Sequence, residues 1–311
     1  MEKSKVYFTK SITPESLIKM YEVVGKELPG KVGVKISTGE PGGHHFLNPN
    51  LIKDLVNKLN GTIVECNTAY AGRRNTTEEH WKAIEEHGFT KIAKVDIMDE
   101  DGDMPIPVRN GLHLKENYVG AHLKNYDSLL MLSHFKGHAM GGFGGALKNM
   151  SIGVASSAGK TWIHTAGKTN KPSELWSNLP EQDHFLESMA EADESVIDYM
   201  KGNIVYINVI NNISIDCDCD SDPEAPCMAD IGIVASLDPV AIDKASLDLV
   251  YNSNDEGKQR LINRIEENNE SVLSEYRNIL EEMLEKTVLD GKEEMLSYSY
   301  DLFHMSSEKT K

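Results

Sequence analysis

The sequence is 311 residues long, with 32 Lys+Arg against 49 Asp+Glu, a formal net charge of −17, and 40% hydrophobic and 26% charged residues. A chain of this length can bury a sizeable core, and its acidic balance argues against nucleic acid or an anionic membrane as the main partner. No apolar run approaches the roughly 18 residues of a membrane span, and the N-terminal "MEKSKVYFTKSITPE" has no apolar signal-peptide region, so a cytoplasmic protein is expected.

In chain order, "KVYFTK" (5–10) predicts a strand and "TPESLIKMYEVVGKEL" (13–28) a helix, opened by Thr13 with Pro14 in its first turn. "KVGVKIS" (31–37) predicts a second strand, followed by the Gly-rich "TGEPGGHHF" and a helix over 49–60. "GTIVEC" (61–66) is a third strand, and 76–88 a helix stopped by Gly88. "KIAKVDIMD" (91–99) and "DSLLMLS" (127–133) are further strands, with an irregular segment between them. A helix starts near Ala146, residues 167–182 read as a loop and 183–201 as a helix. Strands are expected over 203–215 and 230–236, then a helix capped by Asp238 and begun by Pro239. The Glu-rich stretches 181–194 and 264–286 read as solvated helix faces, and 255–290 as a charged, peripheral helix. Strands alternating with long helices give an α/β fold, a mostly parallel sheet flanked by helices. The expected organisation is a core over 1–254 and a helical C-terminal extension over 255–311.

In such sheets ligands sit beyond the carboxyl ends of the strands, and the unusual polar stretches occupy that position. "HFKGHAMGGFGG", after "LLML", carries His134, Lys136, His138, Gly141, Gly142, Gly144 and Gly145, with Lys148 just inside the next helix. Glycines at a helix start leave backbone N–H groups free to approach an anion. Neither Gly-x-Gly-x-x-Gly nor Gly-x-x-x-x-Gly-Lys-Thr is present, and a plain tight turn is the alternative. Imidazole and lysine together suit metal ligation with binding or protonation of an anionic substrate, so His134, His138 and Lys148 are candidate catalytic groups. "ECNTAYAGRRNTT" adds Asn67, Arg73 and Arg74 beyond the third strand. Arginines there suit a carboxylate or phosphate, with surface ion pairing as the alternative; Asn67 and Arg73 are taken as candidate substrate contacts. Cys66, ending a buried strand, reads as core packing.

"SIDCDCDSDPEAPCMADIG" holds Cys217, Cys219 and Cys227. Three thiolates suit iron, zinc or an iron–sulfur cluster, although the spacing is not that of a ferredoxin, zinc ribbon or zinc finger. Reactive redox thiols and inert small residues are the alternatives.

Four blocks, "KISTGEPGGHHFLNPNLIKDL", "ECNTAYAGRRNTTEEHWKAIEEHGF", "SHFKGHAMGGFGGALKNMSIGVAS" and the segment from "YINVINNISIDCDCD" to "AIDKASLDLV", resemble the domain-of-unknown-function 362 family, in order from about residue 5 to 260. The resemblance implies an association with iron–sulfur proteins, because many members carry a ferredoxin module of two four-cysteine motifs. Where that module would lie, near 168–183, this chain reads "KTNKPSELWSNLPEQD", without cysteine. "HAMGGFGGALK" is also similar to a segment of the nickel-pincer lactate racemases, in which a lysine tethers the cofactor and histidines bind nickel or move protons. That similarity would make His138 the histidine and Lys148 the tether, but the glycine pattern around Gly144 differs and no Asp-Thr-Arg substrate loop is evident.

Together these features point to a metal- or cluster-dependent enzyme, an oxidoreductase acting on a small anionic substrate. A racemase or isomerase of a hydroxy acid, and a non-catalytic metal-binding or electron-relay protein docking a redox partner, are the alternatives. No nucleic-acid or membrane partner is expected. The histidine and cysteine groups either share one metal or form two sites, and their separation in space distinguishes the two.

Overall fold

The computed structural model describes residues 4–109 and 111–268. The strands are β1 (Val6–Thr9), β2 (Val32–Lys35), β3 (Thr62–Glu65), β4 (Lys94–Ile97), β5 (Asp103–Pro107), β6 (Glu116–Gly120), β7 (Ser128–His134), β8 (Lys136–His138), β9 (Gly142–Gly144), β10 (Ile204–Ile210) and β11 (Gly232–Ser236). The helices are α1 (Pro14–Val24), α2 (Pro49–Lys58), α3 (Thr77–Glu86), α4 (Ala146–Val154), α5 (Ser157–His164), α6 (Gln182–Tyr199), α7 (Pro239–Tyr251) and α8 (Lys258–Asn268). Seven strands form the main sheet in the order β1-β11-β10-β7-β2-β3-β4. The pairs from β10 through β4 are parallel, while β11 runs antiparallel to both β10 and β1. The fold is therefore α/β with a mostly parallel sheet, as the alternation of elements implies.

Both faces of the sheet are covered, so its central strands are buried along their whole length. One core gathers Leu17, Ile52, Ile84, Val34 and Leu130 under α1, α2 and α3; the other gathers Leu147, Leu186, Leu247, Leu129 and Tyr206 under α4, α6 and α7. Helix starts follow local chemistry. Thr13 accepts from the Ser16 N–H, and Asp238 accepts from the Val240 and Ala241 N–H groups, each followed by a proline at the first turn. No helix among the described residues is long and apolar enough to cross a membrane.

Four expectations change. The irregular segment between 99 and 127 contains the β5–β6 hairpin, and the Gly-rich turn is a second small hairpin, β8–β9. The acidic stretch at 181–194 is not a solvated face: Glu191, Asp193 and Glu194 are buried, because α6 packs between the sheet-facing helices. The described part of the charged tail, α8, is amphipathic and contributes Leu261, Ile262 and Ile265 to the core beside the β8–β9 hairpin. The rest of that tail, 269–311, lies outside the described residues.

Candidate functional site

From β2 the chain builds outward through β3 and β4 on one side, and through β7 and β10 on the other. Loops therefore diverge at the carboxyl ends of β2 and β7, which opens a crevice there. Its residues come from the ends of β2 (Lys35), β3 (Arg74, Tyr70) and β7 (Lys136), from α4 (Lys148), and from the loop after β10 (Cys217, Cys219), with Lys160 of α5 above. The cavity is about 60 Å³, room for a ligand of a few non-hydrogen atoms, since one water needs roughly 10–15 Å³.

Two loops far apart in sequence meet in it. One ring nitrogen of His138 and the sulfurs of Cys217 and Cys219 all lie within 4.8 Å of one another. Gly137 makes this approach possible: a Cβ there would stand 2.2 Å from the Ile215 carbonyl oxygen. Lys148 Nζ donates to Cys217 Sγ at 3.0 Å. The hydrogen bond from Cys219 holds the Cys217 thiol well below its ordinary range, with Lys148 and Lys136 adding to that effect against burial. The Cys219 thiol is correspondingly raised, so of the two sulfurs Cys217 is the one favoured as thiolate. Burial works against the charge on Lys148, but the two sulfurs more than restore it and its pKa is raised.

His138 is held in one tautomer. Its Nδ1 accepts from the Gly141 N–H at 2.8 Å, and burial beside Lys148 pushes its pKa well below the usual value. A neutral ring whose Nδ1 accepts must carry its proton on Nε2. Metal-bound histidines ordinarily donate from the second ring nitrogen instead. His138 is thus set up as a hydrogen-bond donor through Nε2 more than as a metal ligand.

His134 plays a different part from the one its sequence position implies. Its Nδ1 bonds Asp218 at 2.8 Å and its Nε2 bonds the Asn211 carbonyl at 2.6 Å, so neither nitrogen is open. Lys136 closes on the other Asp218 oxygen at 2.7 Å. Burial opposes charge on Asp218, but His134 and Lys136 hold its carboxyl below the usual range. These three residues lock the cysteine loop to β7 and β8.

The Gly-rich helix start is already occupied. Ala146 and Leu147 N–H groups, at the first turn of α4, donate to the two oxygens of Asp243 at 2.8 and 3.0 Å. A Cβ on Gly145 would meet Asp243 Oδ1 at 2.3 Å, so this glycine admits an internal carboxylate and the expected backbone anion site is filled from α7. Gly144 and Gly145 do border the cavity, whereas Gly141 and Gly142 do not. Burial pushes the Asp243 carboxyl up to about 6. Asp193, wholly buried on α6, is raised by burial and by the charge of Asp243, against the Ser151 backbone. Such carboxyls keep a proton in the folded chain that the unfolded chain loses near pH 4, so their contribution to stability is full in acid and lost as pH rises, through about 6 for Asp243. Asp193→Asn should flatten that part of the profile and raise stability at neutral pH, measured by urea unfolding between pH 4 and 7.

Three other expectations are corrected. Arg73 points outward, its guanidinium on Glu86 at 2.8 Å and near Glu79. Its neighbour Arg74 is buried, bonding Glu40 at 3.0 Å and Glu65 at 2.9 Å. Asn67 does not border the cavity; its Oδ1 accepts from His80 Nδ1 at 3.0 Å, and His80 in turn faces Glu65. Cys227 is carried away from the cysteine pair by the loop through Pro223 and Pro226: its N–H bonds the Ile213 carbonyl and its own carbonyl abuts Gly257. Cys66 is buried with its thiol pushed up by desolvation. Lys35 and Lys160 are site residues that the sequence reading passes over. Lys35 is 1% exposed, bonds the Ile36 carbonyl and Asn149, and has its pKa pushed by burial down to about 8; Lys160 bonds the Ala155 carbonyl.

The family model for DUF362, a domain of unknown function, matches residues 32–248. The chain belongs to the DUF362 family. Among solved structures, the lactate racemase apoprotein from Thermoanaerobacterium thermosaccharolyticum is similar at 14% identity and a TM-score of 0.45, over 78% of this chain and 56% of that one. A Thermotoga maritima protein is similar at 16% identity and a TM-score of 0.41, over 76% of this chain and 58% of that one. This DUF362 chain thus spans little more than half the length of either. No curated protein matches its sequence. The matched region runs from β2 into α7 and includes every residue of the crevice described above.

Proposed function

We propose that this DUF362 protein is a metal-dependent enzyme that binds a small carboxylate-bearing anion in the crevice and transfers protons there. The observation that carries the reading is the hydrogen bond from Lys148 Nζ to Cys217 Sγ, 3.0 Å long, on the wall of a small cavity also bordered by Lys35, Lys136, Lys160 and Arg74. Buried cations in that number favour an anionic ligand, and perturbed groups gathered in a cleft mark a functional site. Lys35 and Lys148 would hold the substrate carboxylate. The Lys148 ammonium can give up a proton and the Cys217 sulfur can take one, while the Nε2–H of His138 can hydrogen-bond the anion.

The donor set fits a thiophilic ion: two sulfurs, with one imidazole nearby that would have to surrender its Gly141 hydrogen bond to join them. Cys217 and Cys219 would hold the metal, which would supply Lewis acidity beside the bound anion. A second reading, oxidoreduction, is favoured by the paired thiols alone.

Deuterium uptake from D2O into the C2 position of lactate and related 2-hydroxy acids, with metal-loaded protein and no electron acceptor, tests the first reading. Exchange without net oxidation supports it; consumption of an acceptor without exchange supports the second. Failure of any 2-hydroxy acid to bind by calorimetry overturns both. Binding should weaken as pH rises through about 8, where Lys35 loses its charge, and a Lys35→Met variant should lose that pH dependence.

A further inference from the structure

Outside the crevice, α6 and the β5–β6 connection bring a second donor set together. We infer that His113, His184 and Glu187 form a surface site for a divalent transition-metal ion of the zinc class. One donor atom from each lies within 4.8 Å of the other two. His184 and Glu187 are three residues apart on α6 and so share a face. His113 arrives from the opposite side, its Nε2 hydrogen-bonded to Glu187 and its ring centroid 4.7 Å from that of His184.

The loop carrying His113 is held in place by groups other than the donors. Glu191, buried one helical turn beyond Glu187, accepts from the Leu112, His113 and Leu114 N–H groups at 2.6, 3.1 and 2.7 Å. Gly111 lets the loop fold tightly, because a Cβ there would meet the Leu114 carbonyl oxygen at 1.9 Å. The backbone is thus clamped to α6 before any ion binds, which limits the ordering cost of ligation. Two imidazoles and a carboxylate are a borderline donor set suited to zinc, with water completing the sphere. His184 is exposed and its partners are half-buried, so an ion has open access. The surface group Asp96, Glu100 and His122 lacks this character, since carboxylates occupy both nitrogens of His122. Bound metal would staple the β5–β6 connection to α6.

Zinc titration calorimetry and cobalt(II) spectroscopy test the site, on the wild-type chain and on a Cys217→Ser, Cys219→Ser chain that lacks the crevice sulfurs. The double-serine chain should take up one equivalent of zinc, show cobalt d–d bands without sulfur charge-transfer bands, and melt higher with zinc present. His184→Ala, an exposed change that leaves folding intact, should abolish all three. In the wild-type chain the same change should remove one equivalent and leave any sulfur bands in place, so the outcome does not depend on the crevice reading. No zinc uptake by either parent chain, or an equivalent that survives His184→Ala, overturns the inference.

Discussion

Cys217→Ser is expected to empty the crevice of thiophilic metal. Changes to groups behind a metal ligand cost about 10–100-fold in affinity, so loss of a thiolate ligand should cost on the order of 100-fold or more. Metal content after loading and dialysis, measured by mass spectrometry, reads this directly. Cys219→Ser should behave alike, because the two sulfurs stand together. Cys227→Ser should change nothing, since that residue is bonded to Ile213 on the other side of its loop. His138→Ala is the informative case. With Nδ1 taken by the Gly141 N–H, the ring is poorly placed to ligate, so the variant should keep most of its metal while binding the anion more weakly. If His138→Ala empties the site as thoroughly as Cys217→Ser, the imidazole is a ligand and the turn must rearrange to release it.

The largest expected effect on stability belongs to Arg74. It is 2% exposed and stands between Glu40 and Glu65. Glu65 also accepts from the Thr38 backbone and hydroxyl and faces His80, and Arg74 is the main influence holding its carboxyl well below the usual range against burial. Arg74→Ala would leave two carboxylates buried without their main counter-charge, a change that costs about 3–5 kcal/mol when a buried pair is broken. In a chain of this size that lowers the melting temperature by roughly 10 °C, at about 2–4 °C per kcal/mol. Arg73→Ala, which removes only exposed pairs, should shift it by roughly 2 °C or less. Scanning calorimetry of the two variants makes the comparison, and equal shifts would refute the buried triad as a major support.

Adjacent arginines illustrate why some of this site was legible in the sequence and some was not. That strands alternate with helices, and that polar, glycine-rich stretches follow β2, β3 and β7, is enough to locate the crevice, because in a parallel sheet strand ends share an edge. The Cys-x-Cys pair and His138 are conspicuous for the same reason. Which of Arg73 and Arg74 turns inward depends on a short 3-10 turn, Arg73–Asn75, whose orientation no local pattern states. Lys35 had a usable signal. In "VGVK" the residues Val32 and Val34 belong to one core, so Lys35 must face the other side of a sheet covered on both faces. Asp243 had none that local reading could use: its acceptors' partners, Ala146 and Leu147, lie nearly a hundred residues away.

That Asp243 contact changes how the protein can discriminate among ligands. A helix start offers an anion fixed dipoles that neither titrate nor move. Here those dipoles are spent on an internal carboxylate, so a guest's charge must be met by lysine side chains on flexible stems, one of them with its pKa near 8. Selectivity then rests on the reach and ionisation of ammonium groups. A rigid phosphate cradle would accept one shape at any pH, whereas this arrangement would tolerate several small acids and respond to mild alkalinity.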